Sequence, residues 1–496
     1  YIQSISLECS KQYEEKVIFD PIITQKILEN HTYFQEHKNI LTEEQNKYCT
    51  QMHLSAKKAG SFADPQTQKR LLEISNEIEQ TSFDYYQAIA NNTCHVIARR
   101  EDFDGLDEKI IGMFEKDNEE NYTLKPTYAI YTPVMENAKN RDLRKKLHEQ
   151  FLLRGYPVNI SKINTIQKLR NEKATLLGYD NWTDFDIDAA FKMAQGKEAV
   201  QDLLQHLHII AKEKAIKEVI ELKAFGKDIC NIEGDIEPWD GAYINTQYKK
   251  AMFNFDNEKM TDYFPTLKTI DKMLQMYSNI LGVTLIKEHI STKAEWKWAD
   301  DIFAIKVYKN GELTGTIICD IYPRQGKYTH ACCCMIVCNA ETIINKNYYK
   351  TIPIAAVIAN FTPDTSSRIS CMRIEEAKTF FHEFGHAMHA ILGKSSFSAY
   401  SGYNTALDFV EVPSQLFEQW LLDPTVLLHL SEHFQTGEKI PQELVDSYLA
   451  TKKHGNGLWL ERQLAFADIS LQAFLNTGKT MEEITAQVIP QYTSLT

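Results

Sequence analysis

Two histidines and a glutamate in the stretch 380–389 have residue types and spacing that suit metal chemistry. His382 and His386 are four residues apart, so on a helix their side chains leave the same face about one turn apart. Two imidazoles placed in this way can bind one Zn²⁺, and Glu383 then stands beside the position left for water. The alternative interpretation is a helix that carries ordinary surface histidines.

The residues around these histidines have the pattern of a helix with one buried face. Apolar side chains recur at helical spacing on both sides of the motif, at Ala377, Phe380, Phe381, Phe384, Met388 and Ile391. Gly393 follows as a helix stop. The sequence therefore predicts a helix that holds the histidines against a packed core.

A zinc site that performs catalysis needs a third protein ligand, and Glu411 is the candidate. A helix–loop–helix of this length can bring Glu411 back to the two histidines. The alternative is that Asp408 and Glu411 form a capping box, with Pro413 near the first turn of the new helix. Asp408 is also a candidate acceptor for the free N–H of a ligand imidazole.

The loop between the two site helices contains Tyr400, Gly402 and Tyr403. One interpretation is a loop that contacts substrate, since glycine permits backbone movement. The other is an ordinary connection. His389, three residues after His386, is interpreted as a packing or outer residue rather than as a ligand.

Four of the ten cysteines crowd one segment, at Cys332, Cys333, Cys334 and Cys338. Their spacing lacks the paired C-x₂-C units of structural zinc sites, so thiols packed in or beside a sheet are favoured over a second metal or a redox sensor. The other cysteines are scattered, which argues against a disulfide framework and for a reducing compartment.

Composition excludes several classes of protein. The chain has 496 residues, with 43% hydrophobic and 24% charged residues, which is typical of a globular protein with more than one packed region. Its net charge of −13 argues against nucleic acid as a partner. No apolar run approaches the 18 or so residues that a membrane-spanning helix needs, so no membrane partner is expected.

The spacing of apolar residues changes along the chain. Helical spacing of apolar residues dominates up to about residue 230 and again from about 370. Between them, the stretch from about 280 to 340 is rich in short β-type segments, and Asn310-Gly311 has the composition of a two-residue hairpin turn. A small sheet is therefore predicted inside an otherwise helical chain.

These motifs together resemble those of the thimet-oligopeptidase family of zinc metallopeptidases. The resemblance covers His382–His386 followed by Asp408–Gln415. It extends from about residue 70 to the end, in the order of the family, through stretches that include Pro133–Asn137, Asp262–Pro265 and Asp320–Tyr328.

The resemblance implies a fold that is mainly α. The expected architecture is an elongated helical metallopeptidase with a deep substrate channel and a small β-sheet at about 280–340. Three regions are expected: an N-terminal helical region at 1–125, a helical region forming part of the channel at 126–275, and a catalytic region at 276–496.

The resemblance also implies a function and the residues that perform it. His382, His386 and Glu411 would hold one Zn²⁺ per chain, and Glu383 would be the general base for a zinc-activated water. The expected activity is that of a zinc-dependent oligopeptidase, an endopeptidase acting on short unfolded peptides, in a monomer. The predicted compartment is the cytoplasm, with the mitochondrial matrix as the alternative.

Compared with the family, the chain looks truncated at both ends. The family's C-terminal segment supplies side chains that stabilise the oxyanion, and removing one such donor typically costs about 10²–10³ in kcat. The alternative function is therefore a chain that binds zinc and peptides but is catalytically weak or inactive.

Overall fold

The computed structural model describes residues 14–117, 120–188, 195–290, 297–324, 327, 330–344, 347–361, 363–364, 369–476 and 478–494. These residues form eighteen α-helices and ten β-strands. The prediction of a mainly helical fold with a small β-sheet is confirmed. The landmark Asp320–Tyr328 lies partly outside the described residues, at 325–326 and 328.

The helices are numbered here in chain order. They are α1 Pro21–Glu36, α2 Glu43–Ala59, α3 Pro65–Ala90, α4 Glu108–Ile111, α5 Tyr128–Asn137, α6 Arg141–Leu152, α7 Val158–Leu176, α8 Trp182–Ile187, α9 Lys197–Asp228, α10 Gly241–Phe253, α11 Asn257–Thr261, α12 Thr266–Leu281, α13 Ile374–Leu392, α14 Glu411–Gln419, α15 Pro424–Leu430, α16 Gln442–Thr451, α17 Asn456–Leu475 and α18 Met481–Val488. None of the described helices has the length and apolar composition needed to cross a membrane.

The strands group into three sheets. They are β1 Val96–Ala98, β2 Glu115–Lys116, β3 Tyr122–Leu124, β4 Thr284–His289, β5 Phe303–Lys309, β6 Glu312–Asp320, β7 Cys332–Val337, β8 Glu341–Ile344, β9 Asn347–Lys350 and β10 Ile354–Ile358. Their orders are β1-β3-β2, β4-β5-β6-β10-β7 and β8-β9. The first sheet lies within the region 1–125 that the sequence predicts to be helical. Strands of two or three residues are too short to show an alternating pattern, so the sequence does not indicate them.

Contacts divide the chain into two compact units. The first unit holds the described residues up to Met252 together with those from Lys452 onward, and the second unit is Phe253–Thr451. The three consecutive regions expected from the sequence stay a prediction. The chain returns to the first unit at Lys452 because α17 packs along α9.

The first unit is mostly pairs of helices. Helix α3 packs along α7, and the Arg70 guanidinium donates to both oxygens of Glu172 at 2.6 and 2.9 Å across this pair. A second pairing joins α6 to the segment before α10, where Arg141 and Arg144 both donate to the buried carboxylate of Asp240. All three ion pairs connect segments that are distant in sequence.

The second unit is built on the five-stranded mixed sheet. Side chains of α12 and α13 cover one face of this sheet and form the largest core of the molecule, with Tyr277, Phe380, Phe381 and Phe384 at its centre. The predicted hairpin turn is present, since Asn310 and Gly311 both have positive φ, 54° and 83°, between the paired residues Lys309 and Glu312.

The sheet extends beyond its predicted limit near residue 340. Strand β10 lies between β6, to which it is parallel, and β7, to which it is antiparallel. Its residues form an uninterrupted apolar run that is buried on both faces, and such a run has no alternating pattern from which a strand can be recognised. Within the described residues, β7 pairs with β10 alone and is therefore an edge strand.

Candidate metal centre

Helix α13 carries the three residues of the His-Glu-x-x-His motif. The predicted apolar stripe is buried, from Ala377 to Ile391, and it fixes the face on which the histidines lie. Gly385, inside the motif, allows α14 to approach closely. A Cβ added at Gly385 would lie 2.8 Å from the Cα of Ser414 and 3.2 Å from the ring of Phe417, so only glycine fits without a shift.

The close approach of α14 brings Glu411 to the two histidines. The Glu411 Oε2 atom lies 3.2 Å from His382 Nε2 and 3.1 Å from His386 Nε2, and the two Nε2 atoms are 3.2 Å apart. In the described part of the chain, no other three His, Cys, Asp or Glu residues offer ligand atoms that converge in this way.

The spacing of these three atoms suits a small tetrahedral cation. Zinc bonds to imidazole nitrogen and carboxylate oxygen are about 2.0–2.2 Å long, and two ligands at a tetrahedral angle are then roughly 3.3–3.6 Å apart. The observed separations are only slightly shorter. Two imidazoles and one carboxylate are also a donor set that zinc accepts, with a fourth position open.

Further side chains hold these ligands in place. The carboxylate of Glu418 accepts a hydrogen bond from His382 Nδ1 at 2.7 Å, which leaves Nε2 facing Glu411. Glu418 also pairs with Lys378 at 3.0 Å, and the Ser414 hydroxyl donates to Glu411 Oε2 at 2.8 Å. Sequence reasoning missed Glu418, although it follows Glu411 by two helical turns on the same face of α14.

Glu383 lies beside the metal centre and is buried, with 8% of its surface exposed. Burial raises the pKa of the Glu383 carboxyl group, and the charge of Glu411 raises it further. The charge of His382 and a hydrogen bond from the Cys333 backbone N–H lower this pKa in part. Burial also lowers the pKa of His386, which favours the neutral imidazole that binds metals.

The alternative interpretation, in which Asp408 caps the new helix, does not match the position at which this helix begins. Helix α14 begins at Glu411, and Val410 before it provides no side-chain cap. The Glu411 side chain points to the histidines instead, and Asp408 lies exposed in the preceding turn. Pro413 lies in the first turn as expected. An outer role for Asp408 stays a prediction, and the carboxylate that accepts from His382 belongs to Glu418.

The loop before α14 is anchored to the edge strand β7. The Tyr403 hydroxyl accepts a hydrogen bond from the Met335 N–H at 2.7 Å and donates to the Cys333 carbonyl at 3.3 Å. Its ring centre is 6.0 Å from that of His386. Tyr400 ends a short 3-10 turn. Substrate contact by Tyr400, Gly402 or Tyr403 stays a prediction.

His389 is half-buried on the same helix, and its ring meets that of Phe409 edge-on, with the centres 6.5 Å apart. Its ring nitrogens are not among the converging ligand atoms. This position agrees with the interpretation of His389 as a packing residue.

Comparisons with known proteins show the family. Residues 134–495 match the sequence pattern of a family described as "Peptidase family M3". Saccharolysin of Saccharomyces cerevisiae is 29% identical over 459 residues, which cover 88% of this chain and 63% of saccharolysin. Oligopeptidase A of Salmonella typhimurium is 29% identical over 449 residues, which cover 85% of this chain and 64% of that protein.

A solved X-ray structure described as an oligoendopeptidase F has the same fold, with a TM-score of 0.50 at 13% identity over 98% of this chain and 66% of the other. The chain spans less than two thirds of the length of the two curated relatives named above. The match to the family pattern nevertheless covers most of the chain and includes the candidate metal centre. The chain belongs to peptidase family M3.

Proposed function

We propose that this chain is a zinc-dependent oligopeptidase that hydrolyses internal bonds of short, unfolded peptides. The observation that carries the proposal is the convergence of His382, His386 and Glu411 beside the buried carboxyl group of Glu383. Membership of family M3 supports peptidase activity. Zinc bound by these residues would supply a Lewis acid and lower the pKa of a bound water.

Glu383 is the residue to which we assign proton transfer. Its carboxylate takes a proton from the water that attacks the peptide carbonyl and then delivers this proton to the leaving amine. Burial supports this assignment, because a raised pKa makes the carboxylate a better base at neutral pH. The hydrogen bond from the Cys333 backbone, which belongs to the edge strand, orients the carboxylate.

The substrate class is supported by the names of two relatives, oligopeptidase A and a thimet-like oligopeptidase. Action as a monomer, in the cytoplasm or the mitochondrial matrix, stays a prediction from the sequence.

The experiment is hydrolysis of an internally quenched peptide by the zinc-loaded chain, by the chelator-treated chain and by Glu383→Gln. Chelation should abolish hydrolysis, and Glu383→Gln should lower kcat by about 10²–10⁴ while zinc content stays the same. Glu375→Gln is the matched control, since Glu375 is an exposed carboxylate in the first turn of the same helix.

Two outcomes would contradict the proposal. Stoichiometric zinc without hydrolysis by the wild-type chain would favour a protein that binds zinc and peptides without turnover. Zinc retained by His386→Ala would show that the ion is held elsewhere.

A further inference from the structure

The edge strand β7 places two thiols side by side. Its side chains alternate, so that Cys333 and Met335 pack against the core that contains α13, whereas Cys332 and Cys334 lie on the opposite face. The Sγ atoms of Cys332 and Cys334 are 3.8 Å apart. Cys334 is exposed and Cys332 is half-buried, so the pair is open to solvent on one side.

The separation of the two sulfurs matches that of two ligands on one tetrahedral cation. A zinc–thiolate bond is about 2.3 Å long, and two such bonds at the tetrahedral angle place the sulfurs about 3.8 Å apart. We propose that Cys332 and Cys334 form a second metal site, distinct from the His–His–Glu centre, that binds a thiophilic divalent cation such as Zn²⁺ or Cd²⁺.

The same pair is less suited to a disulfide. Two residues that are two positions apart on a strand have Cα atoms about 6.4–6.8 Å apart, at the upper end of the range of about 4.4–6.8 Å that disulfides span. Strand β7 is also fixed by its pairing with β10, where Cys332 faces Ile358 and Cys334 faces Ala356. A disulfide therefore requires the paired strand to bend, whereas a cation fits the sulfurs where they lie.

Binding of the cation exchanges protons for metal without oxidation. Both thiols would lose a proton to solvent, and their sulfurs would hold the cation through two S–metal bonds. Burial raises the pKa of Cys332 to about 12, with further contributions from Cys334 and Glu383.

The structure thus separates the cysteine cluster into different roles. Packing in the sheet, which the sequence favoured for all four thiols, describes Cys333. Cys338 lies beyond the irregularity in the pairing of β7 with β10 and follows the end of the strand. It is half-buried like Cys332 and provides a control from the same cluster.

The experiment is a titration of the zinc-loaded chain with Cd²⁺, in a phosphine reductant, followed by the ultraviolet charge-transfer absorption of cadmium thiolates. The expected result is one saturable equivalent with a thiolate band. Cys332→Ser and Cys334→Ser should each weaken this binding by more than about tenfold, since loss of an outer partner of a ligand already costs 10–100-fold. Cys338→Ser should leave it unchanged.

Three results would overturn the proposal: no thiolate band at one equivalent, a band that persists when Cys332 and Cys334 are both replaced by Ser, or a band lost in Cys338→Ser. Alkylation of the exposed Cys334 in the wild-type chain tests the same point without a substitution. The His386→Ala variant should keep the band, because nitrogen and oxygen ligands give none. Failure of the proposed peptidase function would therefore leave this result unaffected.

Discussion

The imidazole of His382 is held on both sides at the metal centre. Its Nε2 atom faces Glu411, and its Nδ1 atom donates to Glu418, which is itself paired with Lys378. A carboxylate behind a ligand histidine fixes the tautomer and increases the basicity of the nitrogen that faces the metal. We therefore predict that Glu418 positions His382 toward a bound ion and is not itself a ligand.

Replacement of Glu418 tests this role. We expect Glu418→Gln to weaken zinc binding by about 10–100-fold, because the amide lacks the negative charge that polarises His382. Competition with a chelator of known affinity measures the change. Glu443→Gln is the control, since Glu443 is an exposed carboxylate in the first turn of α16. Equal zinc affinity in the two variants would rule out the role of Glu418.

Residue types and spacing predict which three side chains converge as candidate ligands, but not the residues that contact them from behind. His382 and His386 are recognisable because they belong to one helix, whose geometry follows from the sequence pattern. The contacts of Glu418 and Tyr403 depend on how α13, α14 and β7 meet, and no local pattern encodes that arrangement. The sequence offers Asp408 as an acceptor for the free imidazole N–H, whereas the structure has Glu418 in that position, through a contact between helices that no sequence pattern shows.

At the scale of elements, two glycines permit the close packing around the centre. Gly385 allows α13 and α14 to approach, and Gly402 lies between β7 and α13. A Cβ added at Gly402 would lie 2.3 Å from the Met335 side chain and 2.7 Å from the Cα of Ala390. The loop that carries Tyr403 is thereby held against the edge strand.

Gly402→Ala separates the effect of this close approach from that of backbone conformation. Gly402 and Gly437 both have positive φ, 61° and 74°, but a Cβ at Gly437 would meet no atom within 4 Å. Both alanine variants should lose about 1–2 kcal/mol of unfolding free energy from the left-handed backbone. Gly402→Ala should lose about 1–3 kcal/mol more from overpacking. Equal losses of unfolding free energy in the two variants, measured by urea unfolding, would show that β7 and α13 shift to accommodate the methyl group at position 402.

The buried carboxylate of Asp240 links α6 to the segment before α10. Burial alone would raise the pKa of Asp240, but hydrogen bonds from Arg141, Arg144 and the Glu237 backbone outweigh it, and the pKa is lowered. Its contribution to stability is therefore complete above the unfolded-state pKa of about 3.9 and is lost as the pH falls through the lower folded-state value.

Asp240→Asn should lower the unfolding free energy by about 3–5 kcal/mol at neutral pH, because Arg144 is left buried without its partner. The difference from the wild type should shrink as the pH falls below about 4. Urea unfolding at several pH values measures both effects. Asp235→Asn, which removes an exposed pair with Lys223, should cost about 0–1 kcal/mol. A difference independent of pH would contradict the assignment to Asp240.

Elements with long, regular patterns were predictable, and elements defined by their neighbours were not. The stripe of α13 and the Asn310-Gly311 turn appear in the structure as expected. The sequence does not predict strand β10, because burial on both faces removes the alternation of polar and apolar residues that identifies a strand. Its place between β6 and β7 is set by long-range pairing.

At the scale of the whole molecule, the metal ligands and the residues that hold them all belong to the unit Phe253–Thr451. Zinc at 100 times its dissociation constant should stabilise the folded site by about 2.7 kcal/mol. We therefore expect zinc to slow amide exchange by about 100-fold in α13 and α14 and to leave exchange in α3 and α7, which belong to the other unit, unchanged. Hydrogen exchange with mass spectrometry measures this, and His386→Ala should abolish the effect. Equal slowing in both units would show that they open as one cooperative body, because only then does ligand binding in one unit protect the other.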